Sequence, residues 1–202
     1  MKNVIKNTKK GILMVTMLAT LLSFANEESF TVKNDANRTS LTFYDVKEGN
    51  LLSIIDDNGI ILYKELIQKQ GTYTKGFDLT TLPDGAYIFE LEKDMEIDTI
   101  PFSVKSSIVT FNKENEKIIY KPFTRVVGNL VYLTQLALND ESFKVQIFYS
   151  NSNFSSDTEL VYSEKIKNTK DIKRAYKLVG LEKGKYKMVC YLNDRKFTKI
   201  IN

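Results

Sequence analysis

The sequence predicts an all-β protein: two tandem immunoglobulin-like antiparallel β-sandwiches after a signal peptide. Three observations carry this. Short runs rich in Val, Ile, Tyr, Phe and Thr alternate with turn residues almost throughout. No segment after the first 25 residues shows a sustained helical stripe. The stretch LTTLPDGAYIFELEKD (Leu79 to Asp94) is answered by LVGLEKGKYKMVCYLND (Leu178 to Asp194), with Leu, Leu, Gly and Tyr repeated 99 residues later.

The N-terminus reads as an address. Lys2, Lys6, Lys9 and Lys10 form a basic region, Ile12 to Leu22 is apolar, and Ser23-Phe24-Ala25 offers small residues before a cut after Ala25. The apolar run is far shorter than the roughly 20 residues that span a bilayer, so no transmembrane segment is expected after cleavage. The division expected is a signal peptide over 1–25, one sandwich over 26–105 and a second over 106–202. The chain carries 29 Lys+Arg against 25 Asp+Glu. Residues 1–25 hold four lysines and no acid, so the mature chain is neutral. The basic pI belongs to the signal, and no nucleic-acid partner follows from it.

The missing residues exclude much chemistry. The chain has no histidine, no tryptophan and a single cysteine, Cys190. Ser-His-Asp and Cys-His nucleophiles and the usual zinc sites are therefore out of reach. An intrachain disulfide is impossible, so core burial must hold the fold. No cofactor is expected, because no GxGxxG or P-loop pattern occurs. A pair of acids could still act as in a glycosidase. Asp56, Asp57, Glu90, Glu92 and Asp94 are candidates by residue type, though their spacing marks no cleft. The turn Asp56-Asp57-Asn58-Gly59 hints at calcium but lacks an extended series of oxygen ligands. No catalytic, cofactor or metal residues are assigned.

In the first half, strands are expected near 30–33, 40–46, 51–56, 60–68, 72–79, 85–92 and 97–104. Asn58-Gly59 accepts positive φ and predicts a two-residue hairpin. Leu82-Pro83-Asp84-Gly85 fits a type I turn, with Pro second and Gly fourth. In the second half, strands are expected near 107–111, 117–121, 125–138, 143–149, 159–167, 172–178, 185–192 and 195–201. The polar loop Ser150 to Asp157 replaces the Asn-Gly turn.

The halves align without a gap from Ile61 to Leu91. Tyr63, Glu65 and Ile67 match Tyr162, Glu164 and Ile166; Leu79, Leu82, Gly85 and Tyr87 match Leu178, Leu181, Gly184 and Tyr186. Phe77, Phe89 and Leu91 pair with Tyr176, Met188 and Cys190. Within the first-half strands these positions are all odd. Alternate residues of a strand share a face, so the repeat preserves one buried face per strand. Cys190 then reads as a small buried hydrophobe rather than a reactive thiol. Glu65 and Glu164 are shared acids on that face, either a functional pair or groups bonded to a neighbouring backbone or base. Tyr87 and Tyr186 read as corner tyrosines whose hydroxyls bond back to the preceding turn.

The stretches SIIDDNGIILYKELI (53–67) and FDLTTLPDGAYIFEL (77–91), and again LVGLEKGKYKMVCYLNDRKFTKIIN (178–202), resemble the C-terminal sorting domain of type IX secretion cargo in Bacteroidota, here in two copies. The resemblance covers roughly 50 residues of the first half and 40 of the second. It implies a β-sandwich that directs export across the outer membrane, with outer-membrane export machinery as a partner.

The function expected is non-catalytic: an exported protein with a binding or structural role in the periplasm or at the cell surface. Its partner would be an unidentified protein or glycan. Residues Thr198 to Asn202 would carry export information. A second reading is a carbohydrate- or peptide-binding accessory module, using Ser150 to Asp157 with Phe154 at the tip. A carboxylate hydrolase comes last. Exposed sandwich edges also invite strand addition, at a place the sequence does not locate.

Overall fold

Turn residues cut the chain into short strands, and alternation within each strand gives it one apolar face to bury. The computed structural model describes residues 29–35, 38–138, 141–150, 158–179 and 184–201. The expected signal peptide over 1–25 lies outside them.

The first sandwich comprises β1 (Phe30–Asp35), β2 (Arg38–Val46), β3 (Leu51–Asp56), β4 (Ile61–Leu66), β5 (Gly71–Phe77), β6 (Gly85–Glu92) and β7 (Glu96–Lys105). One sheet has the order β1-β2-β5, and the other runs β4-β3-β6-β7. The second sandwich comprises β10 (Phe123–Val127), β11 (Leu130–Leu136), β12 (Phe143–Ser150), β13 (Glu159–Ile166), β14 (Asp171–Lys177), β15 (Lys185–Leu192) and β16 (Arg195–Ile201). Its sheets, β10-β11-β14 and β13-β12-β15-β16, repeat the wiring of the first strand for strand. All pairings are antiparallel. The protein is thus an all-β pair of immunoglobulin-like sandwiches, as expected.

Each sandwich has its own core. Leu41 and Phe43 from one sheet meet Leu52, Phe89 and Phe102 from the other. In the second unit Val131 and Leu133 meet Phe143, Val145 and Met188. Full burial of such side chains stabilises by about 1.5–3 kcal/mol each. The parity reading holds along β6 and β15: Tyr87, Phe89 and Leu91 are buried, as are Tyr186, Met188 and Cys190. It fails at Ile61, which is exposed together with its counterpart Leu160. A bulge explains this. Ile54 pairs with Tyr63 but Ile55 with Ile61, leaving Leu62 extra. Likewise Ile147 pairs with Tyr162 and Phe148 with Leu160, leaving Val161 extra. Both bulges lie on edge strands, where they twist the edge away from further pairing.

Three local expectations are corrected. The single strand expected over 125–138 is a hairpin, β10 and β11, with Val127 opposite Leu130. Gly128 turns the chain at φ 58°, a Gly-Asn turn hidden between apolar runs. The Asn58-Gly59 turn is longer than two residues: the amide of Ile60 and the carbonyl of Asp56 are not its closing pair. Instead the amides of Gly59 and Asp56 bond to the carbonyls of Asp56 and Ile60. Only Gly59 takes positive φ, at 81°, so a type I turn leads into a Gly bulge. Finally, β8 (Ile108–Phe111) and β9 (Lys117–Tyr120), which the sequence places in the second half, both pair with β7. The ten-residue β7 is long enough to hold the two short strands end to end.

Candidate functional site

The residues shared by the two halves do structural work. The Tyr87 hydroxyl donates to the Pro83 carbonyl at 2.7 Å, and Tyr186 donates to Val179 at 2.6 Å. Both are the expected corners. Glu65 and Glu164 are bonded to bases. Glu65 accepts from Lys75 Nζ and the Tyr63 hydroxyl. Glu164 accepts from Arg174 Nε at 3.3 Å and the Tyr176 hydroxyl. Lys75 and Arg174 are themselves 99 residues apart, a pairing the sequence reading missed although the same offset displays it. In each unit the acid lies on one sheet and the base on the other, so the pair clasps the mouth of the sandwich. The Lys75 ammonium, then the Tyr63 hydroxyl, hold the Glu65 carboxyl below the ordinary range. Burial, followed by the Glu65 charge, pushes the nearby Tyr73 up to about 12.

The acids considered for catalysis are each engaged by a turn or a base. Asp56 Oδ1 accepts from the amides of Asn58 at 3.0 Å and Ile60 at 2.7 Å. Asp57 accepts from the Asn58 side chain. Asp94 pairs with Lys47 at 3.0 Å, and Glu92 with Lys121 at 2.8 Å. Glu90 is held by Arg195. Among the described residues no group of three or more His, Cys, Asp or Glu could hold a metal ion. Cys190 is buried, and that burial pushes its thiol up to about 12. Of the loop Ser150 to Asp157, residues 151–157, Phe154 included, lie outside the described residues.

One acid went unnoticed in the sequence. Asp98 on β7 is 1% exposed and lies opposite Leu91. Its counterpart in the second unit is Phe197, opposite Cys190. An acid therefore stands where the fold accepts a core-side aromatic. Lys93 Nζ reaches it at 2.8 Å and also meets Glu96. Burial raises the Asp98 carboxyl, and Lys93 offsets only part of that shift. A cleft of about 490 Å³, bounded by Phe30 to Val32 and Lys113 to Ile118, opens beside it.

The equivalent opening in the second unit lies at the seam between the sandwiches. It is a cleft of about 420 Å³ between Phe123 and Thr124 of β10 and Lys196 to Lys199 of β16, floored by Met188 and Cys190. Its far rim is Glu92, Asp94 and Met95 of the first unit, with Lys121 and Pro122. Three contacts fix this seam. Arg195 sets its guanidinium against both Glu90 oxygens. Gln135 Nε2 donates to the Tyr120 carbonyl at 3.0 Å. Ile119 of β9 packs on the second core. The outward-facing row Ser53, Glu90 and Thr99 is correspondingly shielded, with Ser53 and Thr99 both buried.

No protein-family model matches the chain, and no curated protein matches it. Among solved structures it is similar to a DUF3823 family protein from Parabacteroides merdae, at 11% identity and a TM-score of 0.25. That match covers 83% of this chain and 98% of the other. It is also similar to the BSP domain of a biofilm-associated protein, at 11% identity and a TM-score of 0.27. Here 86% of this chain is covered, but only 28% of that one. The superpositions are too loose to assign a family, and the strand pairings carry the fold assignment.

Proposed function

We propose that the protein is a non-catalytic exported module with a binding or structural role in the periplasm or at the cell surface, delivered as type IX secretion cargo. One observation carries the non-catalytic part. Each acid that the sequence offers for catalysis, Asp56, Asp57, Glu90, Glu92 and Asp94, is engaged in a turn or with a base. The repeated residues support the same reading, because they close corners and clasp sheets. Export rests on the basic and apolar N-terminus with small residues before Ala25. The type IX route rests on the resemblance of 178–202 to a sorting domain.

Cell fractionation tests the proposal. The expected product begins at Asn26 and lies in the periplasm or at the surface. An uncleaved cytoplasmic chain overturns the export reading. Replacing the exposed Lys196, Thr198, Lys199 and Ile200 with Ser should hold the chain in the periplasm if β16 is read for outer-membrane export. Unchanged surface yield removes the type IX route and leaves the rest standing.

A further inference from the structure

We propose that the open edge of β16 receives an extended peptide strand of alternating acidic and apolar residues from another protein. This deepens the binding reading above and rests on it. The first sandwich supplies the template. Its last strand, β7, carries β9 along Glu96 to Thr99 and β8 along Phe102 to Lys105. At the repeat offset, Glu96 to Thr99 corresponds to Arg195 to Thr198 of β16. There β16 ends its sheet and has no further strand beside it among the described residues.

The other outer strands of the two larger sheets are guarded differently. β4 and β13 carry bulges and β8 and β9 are only four residues long, whereas β16 pairs with β15 in unbroken register from Arg195 to Ile201. A seven-residue edge without a bulge presents unpaired amides and carbonyls to an incoming chain. Main-chain bonds then give affinity, and pockets for alternate side chains give specificity. The 420 Å³ cleft beside β16 supplies such a pocket, with Phe123, Met188, Cys190 and Phe197 among its lining.

Charge selects the occupant. Lys196 and Lys199 are exposed and have no ion pair among the described residues. The acids on the rim are already engaged: Glu92 by Lys121 and Asp94 by Lys47. Lys196 lies on the face of β16 turned away from the core and Phe197 on the core side. A strand that alternates acids with apolar residues therefore sets its acids beside Lys196 and its apolar residues toward Phe197 and the cleft. Such a strand gains attraction, and one with Lys is repelled. The same repulsion opposes pairing of β16 with β16 of a second copy.

The test uses the full isotope-labelled chain and a peptide of about nine residues alternating Val and Glu, long enough to cover the edge. Amide shifts should move along Arg195 to Ile201 and Phe123 to Thr124. A peptide with Lys in place of Glu should bind at least about tenfold more weakly. The double variant Lys196→Glu with Lys199→Glu should reverse that preference. Methylating alternate peptide nitrogens in either phase should abolish binding in one phase, because only one set faces the edge. Absence of binding, shifts confined to β4 or β13, indifference to methylation in both phases, or self-association of β16 in place of peptide binding each overturns the proposal. Peptide binding by a chain found uncleaved in the cytoplasm would refute the export reading alone. An exported chain that ignores the peptide refutes this inference alone.

Discussion

Arg195 and Glu90 stand 105 residues apart in sequence and close on each other across the seam, one Nη to each carboxylate oxygen. Glu90 sits on the outer face of the first sandwich, in the middle of the row formed with Ser53 and Thr99. Arg195 opens β16 of the second. The planar fork of a guanidinium suits this bidentate grip, and a lysine ammonium cannot reproduce it.

Arg195→Ala should therefore cost about 2 kcal/mol in urea unfolding, the scale of a lost charged hydrogen bond with its partner left shielded. Arg195→Lys should recover less than half of this. Small-angle scattering should show a broader range of inter-unit distances for Arg195→Ala, while each core stays folded. Unchanged scattering together with unchanged stability would show that the pair holds nothing.

The corner tyrosines give a second prediction. Tyr87→Phe and Tyr186→Phe each remove one hydroxyl and keep the ring. Each should lower stability by about 1 kcal/mol, the net worth of a hydrogen bond, seen as a fall of about 2–4 °C in melting temperature for a chain of this size. The Tyr186 ring also lies 4.9 Å from that of Tyr149, so Tyr186→Ala should cost considerably more than Tyr186→Phe. Equal losses would mean that the hydroxyl carries the whole contribution.

These corners were legible because they are local: Leu, Gly and Tyr at fixed spacing place a tyrosine just after its turn. The strands of the first half were legible for the same reason. What escaped the sequence is long-range or masked by uniform composition. Gly128-Asn129 is a hairpin turn, but Val126-Val127 and Leu130-Val131 flank it with unbroken apolar character. β8 and β9 join β7 because that strand is long, a fact of pairing that no local pattern displays. Glu90 announced a carboxylate without announcing Arg195. Asp98 sits on the core parity, yet the repeat hides it, since its counterpart Phe197 has no acid to match. The clasp lysine and arginine, by contrast, were readable: Lys75 and Arg174 share the 99-residue offset with the acids they hold.

The two motif glycines are unequal. Neither Gly85 nor Gly184 has positive φ, so what matters is space. A methyl on Gly85 would meet the Tyr87 ring at 3.5 Å, an ordinary contact. On Gly184 it would press into Tyr149 at 2.7 Å and into the Ser150 backbone. Gly184→Ala should cost about 1–3 kcal/mol, as overpacking does, while Gly85→Ala should stay within about 0.5 kcal/mol of the parent. Thermal melts of the two variants check this, and equal effects would refute the close approach at Gly184.

Asp98 and Glu65 predict opposite dependences of stability on pH. Burial raises the Asp98 carboxyl, so the folded chain keeps its proton to a higher pH than the unfolded chain does. Between the ordinary carboxylate value and that raised value the folded state binds more protons, and stability falls as pH rises. Glu65 is the reverse, because Lys75 and Tyr63 hold it low. Its contribution is present above the ordinary carboxylate value and is lost as pH falls through the lowered one. Urea unfolding at a series of pH values on both sides of the ordinary carboxylate value follows both components. Asp98→Asn should lose the falling component, so its stability relative to the parent improves as pH rises. Glu65→Gln should lose the rising component, so its deficit relative to the parent grows over the same range. If both variants shift the profile in the same direction, the burial of Asp98 does not govern its proton, and Lys93 must pair with it strongly enough to keep it charged.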